Sequence, residues 1–419
     1  MTPPATPTTA CGLDFGTSNS TLGVGGRLIA LEGDAVTLPS AVFWEADGGA
    51  PRFGRAGIAA YLEGEDGRLL RGLKSTLGSG LVHERTRVGS RAISFREVLA
   101  RFLAHMKARA EAVQGGPLTQ VVMGRPVHFV DDDAGADAAA QAVLAEIAGE
   151  VGFRDVAFQF EPIAAALDYE TGVSAEELVL IVDIGGGTSD FSIVRVGPDR
   201  ARHADRADDI LANDGIRVGG TDFDRGFSLA QIMPDLGYLG PTKGGEGTMP
   251  RHYYLDLATW HRINTLYNDR ILADLKALRR DIDAPERLDR MLHVLEHRNG
   301  HALAIEVERA KIALSQAESC RLPLRPLTGG PNPVATRMAL EAALEAPLLR
   351  IRDRIGDVLA MAGLRADQIA TVFLTGGSSA LPKLRADVAA VLPGARMARG
   401  DDLASVGTGL ALEAARRFG

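Results

Sequence analysis

The sequence predicts an α/β protein built from a duplicated domain whose halves face each other across a cleft. Two observations carry this. LVLIVDIGGGTSDFSIVRV, residues 178–196, reads as a buried apolar strand, a glycine turn, and a second strand with one wetter face. ACGLDFGTSNSTLGVGG, starting at Ala10, repeats that grammar: apolar entry, Asp14, Gly16, the hydroxyls of Thr17 and Ser18, Asn19, and a β-rich exit. Gly185, Gly186 and Gly187 let the backbone turn its N–H groups inward as an anion nest. Thr188 adds a hydroxyl, and Asp183 and Asp190 flank the turn. Carboxylates beside a phosphate cradle make sense when Mg²⁺ joins the two. An ordinary hairpin would also use Gly and Asp. A second hairpin of the same design favours repetition and a nucleotide-phosphate site.

Bulk properties agree. A chain of 419 residues has room for about three domains. Its 46% hydrophobic and 24% charged residues are those of a soluble globular protein. With 46 basic against 54 acidic residues the net charge is −8, which argues against a general nucleic-acid or anionic-membrane binder. Cys11 and Cys320 are the only cysteines, so a disulfide framework is not expected and a reducing cytoplasm is. No run reaches the roughly 18 apolar residues that span a bilayer. MTPPATPTTA lacks a basic head and an apolar stretch, so residues 1–10 read as a disordered lead-in rather than a signal peptide.

Along the chain, residues 38–112 are mixed and loop-rich, ending in a helical pattern over 95–112. Gly115-Gly116-Pro117 punctuates. TQVVMGRPVHF reads as a strand and turn, and the Ala-rich 134–151 as a helix. FRDVAFQFEPIAAALDYE reads as a strand entering a helix through Glu161-Pro162, where Pro's missing N–H does no harm. RVGGTDFDRGFS reads as a further glycine turn, with Asp222 and Asp224 nearby. A polar-helical block follows over 224–300. Then come a helix over 304–317, a strand, and one long helix over 336–362. ATVFLTGGSSALPKLRADV is another buried strand, glycine turn and amphipathic helix, and DDLASVGTGLALEAARRF follows it.

GLDFGTSNS, GLKSTLG, FEPIAAALDYE, VDIGGGTSDFS, RVGGTDFD, VERAKIALS, FLTGGSSALP and DDLASVGTGLAL, in this order, resemble the nucleotide-binding domain of the 70-kilodalton heat-shock chaperone family. That family lies in the actin/hexokinase/heat-shock ATPase superfamily. The resemblance implies a two-lobed, actin-like fold of duplicated ribonuclease-H-like domains, each with an inserted subdomain. Lobe I would be 11–184 with its insert at 38–112, and lobe II 185–419 with its insert at 225–300. ATP or ADP would lie between the lobes with Mg²⁺, K⁺ being an optional companion. By this resemblance Asp14, Glu161 and Asp183 would hold Mg²⁺, mostly through water. The backbone of Gly16, Thr17, Ser18 and Asn19 and of Gly185, Gly186, Gly187 and Thr188 would cradle the phosphates. Lys74, four residues before Gly78, would position the attacking water, and Asp183 or Asp190 would take its proton. Gly219, Gly220, Glu308, Lys311, Ser315, Gly376, Gly377, Ser378 and Asp401 resemble the family's remaining nucleotide contacts.

Two departures stand out. Ile312 and Ala380 occupy positions where the family usually has arginines flanking the purine. Losing two guanidinium planes removes contacts worth about 0.5–2 kcal/mol each. After DDLASVGTGLAL comes only EAARRFG, so no peptide-clamping domain is expected in this stretch. The expected activity is Mg-dependent ATP hydrolysis with lobe closure read by an unknown protein partner or client. A nucleotide-sensing scaffold is the main rival, and a sugar kinase or filament-forming actin relative a third; VERAKIALS argues against the kinase. His293, His297 and His301 have metal-ligand spacing on a helix, but Asn299-Gly300 should end that helix before His301. Asp131-Asp132-Asp133 reads as a solvated helix start.

Overall fold

The computed structural model of the protein describes residues 8–77, 81–88, 91–130, 133–170, 172–203, 206–244, 247–399 and 405–419. They fall into two compact units: Met1–Ile216 with Arg354–Ser379 and Ala389–Gly419, and Arg217–Asp353 with Ala380–Val388.

The first unit holds two central sheets. One contains β1 (Ala10–Phe15), β2 (Asn19–Val24), β3 (Arg27–Leu28), β4 (Thr37–Pro39), β5 (Gln120–Arg125) and β6 (Asp155–Phe160), in the order β6-β5-β1-β2-β3, with β4 also on β2. The other contains β7 (Glu177–Ile184), β8 (Ser189–Val196), β9 (Ile210–Ile216), β10 (Thr371–Thr375) and β11 (Arg396–Arg399), in the order β9-β8-β7-β10-β11. The path is the same in both. An antiparallel meander of three strands is followed by two strands parallel to the first. The duplication expected from two hairpins thus extends to the whole topology.

Parallel neighbours need a crossover. Helix Phe95–Gln114 lies between β4 and β5, and helix Ala134–Glu150 between β5 and β6. Ser94 caps the first by accepting from the Glu97 N–H at 3.1 Å, and Gly115 closes it at φ +77°. Val98, Leu99, Phe102 and Met106 bury one face of this helix, and Leu144 and Ile147 one face of the second. Asp133 caps the second helix, accepting from Ala136, as its helix-start reading expected; Asp131 and Asp132 lie outside the described residues. A smaller sheet, Arg52–Phe53, Ala41–Glu45 and Gly67–Arg71, and a hairpin, Arg85–Val88 with Arg91–Ser94, fill much of the stretch between β4 and β5.

A second core lies around helices Glu161–Glu170 and Ser405–Phe418. The two helices approach so closely that a Cβ on Gly409 would fall 1.8 Å from the Ala164 carbonyl. One on Gly12 of β1 would fall 2.2 Å from the Ala411 nitrogen. Only glycine fits at either place. The far end of the 161–170 helix is locked by a buried ion cluster. Arg206 donates to both carboxylate oxygens of Glu170 at 2.9 Å and to Asp209, while Glu170 also accepts from the Gly197 N–H.

Three readings are corrected. The mixed pattern of β8 is not a wet face: Ser192 is buried and donates to Asn213 at 2.7 Å. Gly219-Gly220 is not a free turn but the start of helix Gly220–Gln231, where the Asp222 carboxylate accepts from the Gly219 N–H. The long helix at 336–362 is two, Arg337–Ala343 and Glu345–Met361. Pro347 has no N–H to give the Ala343 carbonyl, so the first helix ends there. Among the described residues no helix is long and apolar enough to cross a membrane.

Candidate functional site: two glycine turns and a buried charge cluster

β1 pairs with β2 so that Asp14 opposes Thr21 and Phe15 opposes Ser20, leaving Gly16 to Asn19 to make the reversal. β7 pairs with β8 so that Asp183 opposes Asp190 and Ile184 opposes Ser189, leaving Gly185 to Thr188. The match is residue for residue: Asp14 and Asp183 hold the same place, two positions before their turns. The second turn is closed by the Gly185 N–H on the Thr188 carbonyl at 2.9 Å. A Cβ on Gly186 would lie 2.0 Å from Ser18 Oγ, so the two turns touch and position 186 must be glycine.

Lys74 arrives from the smaller sheet. Gly72 takes φ +67°, and a single 3₁₀ turn, Leu73–Thr76, follows with Leu73 and Leu77 buried on either side. Thr76 donates to the Leu73 carbonyl at 2.7 Å. So anchored, Lys74 Nζ lies 2.5 Å from Glu161 Oε1, the two side chains being 14% and 17% exposed. Glu161 is the first residue of its helix, where a carboxylate also suits the helix dipole. Gly78 lies outside the described residues.

The electrostatics form one network. Burial lifts the Asp14 carboxyl to about 7; the charge of Glu161 adds to this and that of Lys74 opposes it. Burial also lifts Asp183 to about 7, helped by repulsion from Asp190, Glu161 and Asp14. For Lys74 burial works against the charge, but Glu161 and Asp14 more than offset it, so its pKa lies above the ordinary value. Thr188 Oγ1 is 3.2 Å from Asp190 Oδ2. Gly376, at φ +83°, comes so close that a Cβ there would sit 2.6 Å from Asp183 Oδ1. The third glycine turn, with Gly377 and Ser378, therefore abuts this carboxylate.

Several contributors escape a reading of the sequence. Gly124 of β5 lies where a Cβ would meet Glu161 Cγ at 3.3 Å and Asp14 Oδ1 at 3.7 Å. A glycine inside an apolar strand was its only signal. Ser40 is buried; its N–H donates to the Ser18 carbonyl at 2.8 Å and its hydroxyl to the Gly16 carbonyl at 2.7 Å. Its single proton being used there, Ser20 must be the donor in the 2.9 Å bond between the two hydroxyls. The relay Ser20–Ser40–Gly16 fixes the first turn from behind.

Gly219, Gly220, Glu308, Lys311 and Ser315 lie in the second unit. Glu308, Lys311 and Ser315 share helix Gly300–Gln316. Lys311 is buried, 2.9 Å from Asp224 Oδ1 and donating to the Gly220 carbonyl at 3.2 Å, which ties that helix to the start of the 220–231 helix. Ser315 donates to the Ile312 carbonyl. Ile312 itself is 55% exposed. Asp401 lies outside the described residues. Among the described residues no group of three or more His, Cys, Asp and Glu side chains is placed to hold a metal ion by itself. In the histidine row a helix does end at Glu296 and a new one starts at Gly300, and His301 is buried, 3.1 Å from the Trp260 carbonyl.

A family model described as Hsp70 protein matches residues 77–228 and 285–415. The chain is 26% identical over 348 residues to the protein named chaperone protein DnaK of Akkermansia muciniphila. The match covers 79% of this chain and 44% of that relative, so the chain spans less than half of the relative's length.

Proposed function

The chain belongs to the Hsp70 family, and on that premise we propose that it binds and hydrolyses ATP with Mg²⁺. One observation carries the reading: two matched glycine turns in contact, with a half-buried lysine and four carboxylates at their mouths. The N–H groups of Gly16 to Asn19 and Gly185 to Thr188 would receive the β- and γ-phosphates, the Thr188 hydroxyl adding a bond to the γ-phosphate. Asp14, Glu161 and Asp183 would hold Mg²⁺, mostly through water. Two half-buried carboxyls lifted to about 7 fit such a cation, because crowded carboxylates ionise together only when a positive charge joins them. When bound, Mg²⁺ would neutralise phosphate charge.

Lys74, held by Glu161, would orient the attacking water and offset charge on the transferring phosphoryl group. Asp183 or Asp190 would accept the water's proton, a role suited to a group titrating near neutrality. Glu308, Lys311 and Ser315, with Gly376, Gly377, Ser378, Gly219, Gly220 and Asp401, would contact the nucleoside, and K⁺ could accompany Mg²⁺. The two-lobe division near residue 184, nucleotide-linked lobe closure, an unidentified protein partner or client, and a cytoplasmic setting belong to the same proposal. Two free cysteines are consistent with that setting.

Ile312 and Ala380 favour a second reading, a nucleotide-sensing scaffold with little turnover. Steady-state ATP hydrolysis by the purified protein, beside a Lys74→Ala variant, separates the two. Turnover that depends on Lys74 supports the enzyme, and binding without turnover supports the scaffold.

A further inference from the structure

Helix Glu161–Glu170 carries an anchored carboxylate at each end. At its first residue Glu161 meets Lys74 at 2.5 Å, within the glycine-turn site. At its last, Glu170 accepts from Nη1 and Nη2 of Arg206, both at 2.9 Å, the two side chains being 1% and 2% exposed. Arg206 also donates through Nε to Asp209, whose other oxygen lies 3.2 Å from Arg200. Glu170 accepts in addition from the Gly197 N–H at 2.8 Å, just past the end of β8. One residue earlier, Tyr169 donates to Glu177 and lies 3.0 Å from Thr371 Oγ1, the first residues of β7 and β10. The last turn of the helix is thus fastened to three strands of the second sheet. From this fastening β7 runs on to Asp183, whose carboxyl feels the charge of Glu161.

A buried ion pair adds little stability over apolar side chains of the same size. What a bidentate arginine adds is geometry, because its two bonds form together at one relative placement only. The middle of the helix shows why such a device is needed. Ala164, Ala165 and Ala166 are its buried residues there, and side chains so small raise no ridge to fix a helix along its axis. The helix itself is stiff: at about 1.5 Å a residue it is a strut roughly 14 Å long from Glu161 to Glu170. An axial shift at one end therefore arrives at the other. We propose that Arg206 is a positioning residue for the glycine-turn site: by holding Glu170 it sets the axial place of the helix, and with it the place of Glu161 beside Lys74 and Asp183. The positioning rests on this geometry alone, and its effect on turnover rests on the ATPase reading of the site.

In the full-length protein, Arg206→Met and Glu170→Gln are made together. The glutamine still accepts from Gly197, and Asp209 keeps Arg200, so no charge is left buried alone. The side-chain ammonium resonances of Lys74 and Lys107 are followed by NMR, each assigned by its loss in Lys74→Ala or Lys107→Ala. Lys107 pairs with Glu111 at 2.5 Å inside helix Phe95–Gln114 and serves as the internal reference. In the double variant the Lys74 resonance is expected to shift by more than its linewidth while that of Lys107 stays in place. Glu170→Gln alone should shift it in the same direction by less. The kcat for ATP should fall about 10–100-fold, the scale for misplacing a group by ~1 Å, with KM within about threefold of the parent. A Lys74 resonance that does not move, or movement of both lysines together, would overturn the proposal and leave Arg206 a structural residue. A Lys74 shift with unchanged turnover would uphold the positioning and count instead against the ATPase reading of Lys74 and Glu161.

Discussion

In its half-buried setting Lys74 is held in the charged form by Glu161 and Asp14 beside it. Replacing it with Ala should therefore slow hydrolysis by about 10²–10³-fold, the scale for removing a group that stabilises a transferring phosphoryl. Nucleotide affinity should stay within a few-fold, as checked by single-turnover kinetics and calorimetry; unchanged turnover would remove Lys74 from the chemistry. Asp183 makes a pH prediction. Its folded pKa of about 7 stands above the ordinary 3.8, so the folded state keeps a proton that the unfolded chain sheds. That contribution is complete below 3.8 and disappears as pH rises through 7. Asn copies the protonated form, so Asp183→Asn should raise the nucleotide-free melting temperature at pH 8 by roughly 2–4 °C, and by less at pH 5. A gain equal at both pH values would mean that Asp183 is not strained by ionisation. Asp14 and Asp183 were legible in the sequence because each stands two positions before a glycine turn. Ser40 was not, because its two partners in the turn are set by tertiary approach rather than by any local pattern.

At the scale of elements, the first turn is held from behind by the hydroxyl relay and the second by its own closing bond. Ser40→Ala leaves the Gly16 carbonyl unsatisfied, at a cost of about 1–3 kcal/mol. Urea denaturation should show that loss, and calorimetry an ATP affinity about tenfold weaker. Lower stability with unchanged affinity would confine the relay to folding. Gly409→Ala puts a methyl against the Ala164 carbonyl and should destabilise by about 1–3 kcal/mol in the same assay. The strands, the capped crossover helices and the repeat could be read from periodicity because each buries a regular face. The break at Leu344 and the helix start at Gly220 could not. Both turn on a single backbone N–H, one missing at Pro347 and one, at Gly219, captured by Asp222.

For the molecule as a whole, the resemblance in eight short motifs was enough to foresee the family, and the shared sheet path bears out the duplicated fold. At the nucleoside contacts Ile312 is an exposed isoleucine at a position where the resemblance leads one to expect a cation. Ile312→Arg with Ala380→Arg should tighten ATP binding by about tenfold, or ~1.4 kcal/mol, in calorimetry on the folded protein; no gain would locate the adenine elsewhere. The packing of helix Ser405–Phe418 against β1, β2, β5 and the 161–170 helix has a further consequence, in time rather than in space. At 5–20 residues per second, roughly 20–80 s separate the synthesis of β1 from that of the helix that covers it. Throughout that interval the first sheet, with Gly12 bare, lacks the helix that covers β1 and β2, while the strands of the second sheet are still being made. A chain ended at residue 399 should lose cooperative unfolding, and a synthetic 405–418 peptide should restore it. Of the described strands, the one made earliest is among the last to be finished, and while the chain grows it needs the same shelter from aggregation as any half-built sheet.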